Sequence, residues 1–101
     1  MSEAQYRSYG KEIIPGFLYL ASHYEANDIA FLREHRITHI LNVAEECEPT
    51  AEARKFCTSV MHIPLRDSPL TDLGVHIPRA ISFINEAKKK KKQGRVLVHC
   101  F

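Results

Sequence analysis

A chain of 101 residues with 45% hydrophobic and 26% charged residues has an ordinary globular balance, and as a single domain it would bury roughly two-thirds of its unfolded surface. Its formal charge of +2 sets 14 basic against 12 acidic residues, too small a bias to point to nucleic acid as a partner. No apolar run approaches a membrane span and Met1 to Gln5 lack signal-peptide character, so no membrane partner is expected and the cytoplasm or the nucleus is the default location.

Residues 1–10 are polar and end in Gly10, the pattern of a loosely docked terminus. Ile13 and Ile14 lead into the turn dipeptide Pro15-Gly16, and Phe17 to Leu20 resumes an apolar run, which predicts a short hairpin. Asn27 or a neighbour caps a predicted helix through His35, with Ile29, Phe31 and Leu32 turned inward and Arg33, Glu34 and Arg36 in water. Ile37 to Val43 reads as the next strand. The acidic, proline-broken stretch Glu45 to Thr50 reads as a surface connection, and Ala51 to Phe56 as one or two helical turns.

Val60 to Ile63, closed by Pro64, is a further strand, and Asp67-Ser68-Pro69 opens a loop. Asp72 is the expected cap of a helix from about Gly74 to Lys91, with Pro78 near its first turn and Ile77, Ala80, Ile81, Ile84 and Ala87 as its buried stripe. The run Lys88 to Lys92 finishes that helix, where cations suit the negative end of the dipole, with an acidic partner or nuclear targeting as its alternative role. Gln93-Gly94 breaks the chain ahead of Val96, Leu97 and Val98, a short buried strand. The alternation of strands and helices predicts one α/β domain over residues 1–101, with a largely parallel twisted sheet, right-handed crossovers and helices on both faces.

Three cysteines, Cys47, Cys57 and Cys100, show no C-x-x-C spacing, which argues against a disulfide framework and fits a reducing compartment. Six histidines are scattered without ligand spacing, so neither a metal nor a cofactor is expected. Cys100 stands apart because it follows the strand Val96 to Val98 and His99, and open α/β sheets bind ligands beyond the carboxyl ends of their strands. Position alone leaves it a nucleophile or a buried structural thiol. Spacing alone does not choose between Asp67 and Asp72 as a catalytic acid, since the one also suits a turn and the other a helix cap.

Val98-His99-Cys100-Phe101 resembles the opening of the V-H-C-x5-R signature of the cysteine-dependent protein tyrosine phosphatases, and of their dual-specificity branch in particular. Ile14 to Ser22 is similar to that family's opening hairpin, Ile37 to Val43 to its next strand, and Ile63-Pro64-Leu65-Arg66-Asp67 to its general-acid loop. The resemblance implies a protein phosphatase that hydrolyses phosphotyrosine and phosphoserine or phosphothreonine in protein substrates without a metal. It implies Cys100 as the nucleophile that forms a phosphocysteine, and Asp67 as the general acid and then base. His99 would support the thiolate and the loop, and Phe101 would be the first residue of the phosphate loop.

Asn42 would lie near that loop or bond to backbone at a strand end, while Arg36 and Arg66 read as solvated. The resemblance also puts Val96 to Val98 in the middle of the sheet, with one sheet face incompletely covered by the helices at 27–35 and about 74–91. Because the sequence given stops at Phe101, ahead of the family's loop arginine, the expectation is the N-terminal part of such a domain, incomplete at its C-terminus. The alternative is a catalytically inactive fragment, or a phosphatase-like binding or decoy module.

Overall fold

Pro15-Gly16 turns the start of the chain back on itself. In the computed structural model, which describes residues 11–44, 49–63, 70–90 and 92–99, strand β1 (Lys11–Ile14) pairs antiparallel with β2 (Leu18–Ala21). The Phe17 N–H donates to the Ile14 carbonyl at 3.0 Å, and Gly16 has φ +70. Proline followed by a left-handed glycine at the two inner positions is the type II arrangement, which glycine adopts without a Cβ clash. The Glu12 carboxylate closes the turn, accepting from the Gly16 N–H at 3.0 Å and the Tyr19 hydroxyl at 2.8 Å. These bonds, the backbone one first, hold Glu12 below the usual carboxylate range.

The helix predicted from Asn27 or a neighbour through His35 is α2 (Ile29–Glu34), and a short helix not expected from the sequence, α1 (His23–Ala26), precedes it. Ser22 and Glu25 form a capping box that starts α1. Asp28 then starts α2 by accepting from the Ala30 and Phe31 N–H groups, leaving Asn27 between them. A Schellman motif ends α2: the Ile37 N–H reaches the Leu32 carbonyl at 2.8 Å and the Arg36 N–H the Arg33 carbonyl at 3.1 Å. Leu32 and Ile37 are both buried. Arg36 sits at φ +56, the left-handed position that glycine usually fills and that costs an ordinary residue about 1–2 kcal/mol.

Strand β3 (His39–Asn42), helix α3 (Ala51–Phe56, capped by Thr50), strand β4 (Ser59–His62), helix α4 (Leu70–Lys89) and strand β5 (Val96–His99) complete the order. The sheet runs β1-β2-β5-β3-β4, with β5 parallel to both β2 and β3 and β3 parallel to β4. It is the expected α/β architecture, with β5 in the middle. Under α1, α2 and α3, one face packs Tyr19, Ile40 and Leu97 against Ala26, Leu32 and Ala53. On the other face, Leu41 and Val96 pack against Phe83 and Ala87 of α4.

Helix α4 corrects three expectations. It begins at Leu70, so Asp72 falls inside it and does not cap it. Pro78 is likewise interior. The hydrogen bond its missing N–H would have made belongs to the carbonyl of Gly74, which is exposed to water. The buried seam keeps part of the predicted stripe, with Ala87 buried and Ala80 and Ile84 packed against the core, but takes in Phe83 in place of Ile77 and Ile81, which are 48% and 52% exposed. Apolar residues crowd more than one side of this helix, and only contact with the sheet selects the inward one. No helix among the described residues is long and apolar enough to cross a membrane.

Candidate active site

The chain passes outward from β2 to β3 to β4, then reverses through α4 to insert β5 between β2 and β3. Such a reversal splits the loops apart at the carboxyl ends of the strands and opens a crevice there, where ligands of open α/β sheets bind. Parallel pairing brings the last residues of four strands into one row. Ala21 and Asn42 flank His99, and His62 stands beside Asn42. All four strands therefore end flush at this edge, and residue 100 follows directly from the middle of it.

The row is held by backbone bonds that continue beyond the strands. The Val43 N–H donates to the His99 carbonyl at 2.9 Å, and the Ile63 N–H to the Asn42 carbonyl at 2.8 Å. Asn42, fully buried in an otherwise apolar strand, accepts from the Ala44 N–H through Oδ1 at 2.8 Å. Its amide thus shapes the chain leaving β3, the backbone-bonding role foreseen as one of two. His99 is buried. His62, which sequence reasoning passed over, donates from Nε2 to the Ala44 carbonyl at 2.5 Å and ties β4 to the same segment. None of the four row residues is acidic, so nothing in the row repels a phosphate dianion.

The structure brings together His99 and Asn42 among the sequence-derived candidates. Cys100, Phe101 and Asp67 lie outside the described residues, as do Arg66 and Cys47. Cys57 is far from nucleophilic: burial pushes its thiol up to about 11, with its sulfur 3.9 Å from the Ile37 carbonyl. His39 lies edge-on to Phe83 with ring centroids 5.5 Å apart, and burial lowers its pKa and keeps it neutral.

Comparison with known proteins gives the row a context. Residues 18–101 match the family model described as dual specificity phosphatase, catalytic domain. The chain is 42% identical over 92 residues to dual specificity protein phosphatase 5 of Rattus norvegicus, covering 88% of this chain and 22% of that protein. It is 40% identical over 88 residues to dual specificity protein phosphatase 19 of Mus musculus, covering 87% and 38%. It is 35% identical over 89 residues to dual specificity protein phosphatase 22 of Homo sapiens, covering 88% and 45%. These alignments thus take in less than half of each relative. Among solved structures, that of DUSP15 superposes with a TM-score of 0.72 at 29% identity, over 91% of this chain and 55% of that one. The Yvh1 phosphatase domain from Chaetomium thermophilum gives 0.72 at 28% identity, over 90% and 56%.

Proposed function

Since this chain belongs to the dual-specificity phosphatase family, a family of enzymes whose fold it shares, we propose that it acts on phosphoproteins, hydrolysing phosphotyrosine and phosphoserine or phosphothreonine through a phosphocysteine. Cys100 supplies the thiolate, which attacks phosphorus in line and forms the S–P bond as the bond to the leaving oxygen breaks. Asp67 gives that oxygen its proton, then takes one from the water that cleaves the S–P bond and releases inorganic phosphate. His99 holds the start of the loop and favours the thiolate, and Phe101 begins the phosphate-binding loop.

The observation that carries this reading is the position of β5. The central strand ends at His99 where the strand order reverses, and the family match runs on through Cys100 to residue 101. The test uses the full-length protein and an aryl phosphate without added metal. Cys100→Ser is expected to abolish turnover while retaining phosphate-ester binding, and Asp67→Ala to slow it by about 10²-fold or more. Full activity in the serine variant overturns the assignment of the nucleophile. Binding without turnover in the unaltered protein would instead identify a phosphatase-like binding module.

A further inference from the structure

At the opposite, amino-terminal edge of the parallel strands, the chain encloses a recess of about 850 Å³. Its walls come from the Pro15-Gly16 turn, the ends of α2 and α3, the approach to β3, and the connection from α4 into β5. Arg33, Arg36, Lys92 and Arg95 line it, and among the described residues none that lines it is acidic. A second hollow of about 330 Å³ shares Thr38, Thr58 and Lys92 with the first and adds Lys90. The two form one basic groove.

The cations differ in how far the fold itself uses them. Arg95 is committed: its Nε donates to the His35 carbonyl at 2.7 Å, and its guanidinium lies over Tyr19 and donates to that hydroxyl, which bonds Glu12. Arg33 lies 6.0 Å from the Phe56 ring centroid, which positions the charge without neutralising it. Arg36 and Lys92 are exposed and make no ion pair among the described residues. The carbonyl ends of α2, α3 and α4 favour cations nearby, yet they do not require a lining that, among the described residues, carries no carboxylate. A cleft lined by one sign of charge focuses the field and draws in the opposite charge.

The charges come from separate segments and are spread along the groove, so they suit a ligand with several anionic groups along its length. Phe56 and Ile37 in the same wall offer apolar contact to the carbon stems between such groups. A recessed groove also presents no flat face to a membrane. We propose that this amino-edge groove is a docking site for an acidic polypeptide segment of a partner protein, its aspartate and glutamate carboxylates meeting Arg33, Arg36 and Lys92. The site lies at the other end of the strands from His99, and the proposal does not depend on the phosphatase reading.

The test is fluorescence anisotropy of a labelled peptide alternating glutamate and serine, titrated with the full-length protein beside a glutamine counterpart. The glutamate peptide is expected to bind and the glutamine peptide not, with affinity falling as salt is raised. Arg36→Gly combined with Lys92→Ala is expected to weaken binding about three- to tenfold, the range for losing two exposed charge contacts. Glycine suits the left-handed backbone at position 36, so Arg36→Gly alone is expected to keep or raise Tm while weakening binding, a split that a purely structural arginine does not give. Unchanged affinity in the double variant overturns the proposal, as does equal binding of the glutamine peptide. Preferential binding to phosphatidylserine vesicles overturns it in favour of a membrane surface.

Discussion

The two faces of the sheet are built from alternating residues of the same strands, yet they are covered very differently. Beneath α1, α2 and α3, small residues at Ala21, Ala26 and Ala53 let helix and sheet approach, and Leu32, Ile40 and Leu97 are sealed off. The other face has α4 alone among the described helices. Phe83 and Ala87 seal Leu41 and Val96, while Leu18, Met61 and Val98 are half-buried and Leu20 is 47% exposed. On β5, Leu97 is 0% exposed and its neighbour Val98 is not sealed. An apolar run therefore makes a strand eligible for burial on both sides, but the helices stacked on each side decide how much is gained.

The sharpest test of this contrast compares adjacent residues. Leu97→Ala is expected to cost about 2–5 kcal/mol, against about 1 kcal/mol for Val98→Ala, both read from urea denaturation. Equal penalties would break the comparison and show that the second face is covered in solution. Next in size is Gly94→Ala, where the connection from α4 into β5 passes tightly against the start of β3. A Cβ there would lie 2.9 Å from Thr38 Oγ1 and 3.0 Å from His39 Nδ1, and the Gly94 N–H is already bonded to the Ala87 carbonyl at 2.9 Å. The expected loss is about 1–3 kcal/mol, and an unshifted denaturation midpoint would refute it.

A smaller effect concerns His39, the buried imidazole of the α4 face. Its folded pKa lies below the ordinary value of 6.5, so on acidification the unfolded chain takes up the proton first. The stability linked to it is full above about pH 6.5 and declines as pH falls toward and through the lowered folded value. A denaturation series against pH is expected to show that decline, and His39→Gln to flatten it; an identical slope in the variant would exclude His39 as its source. Smallest of all, Leu20→Gln should change stability by no more than about 0.5 kcal/mol, as for an exposed site. A loss of 2 kcal/mol or so, the scale of a buried leucine, would mean that Leu20 is covered.

The sequence made the strands, the Pro15-Gly16 turn and the α/β class legible because each has a local cause, and the family resemblance placed β5 at the centre. Helix α2 was legible from its cap, Asp28 beside Asn27, whereas α1 has only the Ser22-x-x-Glu25 capping box as its local signal, and four residues are too few to show an apolar stripe. The inward side of α4 was legible in part, at Ala80, Ile84 and Ala87, but Ile77 and Ile81 are as apolar as Phe83 and only the sheet separates them. Asn42 could be suspected as a polar residue in an apolar strand. His62 carried no such signal, because its partner is a backbone carbonyl brought near by the fold. The cations of the amino-edge groove are far apart in sequence, Arg33 and Arg36 from Lys92 and Arg95, so nothing local marks them as one cluster.

Strand order also sets a timetable for synthesis. β1 and β2 form one pair and β3 and β4 another, and the pairs meet only through β5, which joins Leu18 to Val96 and His39 to Val96 across most of the chain. Two-stranded pieces are marginal in water by themselves. As the chain leaves the ribosome, Tyr19, Ile40 and Leu41 are therefore available for wrong partners until Val96 to His99 emerges to join the halves. Such late, long-range closure slows folding and prolongs the exposure of unpaired strand edges, so the same insertion that centres β5 in the sheet lengthens the time for which the nascent chain is open to aggregation.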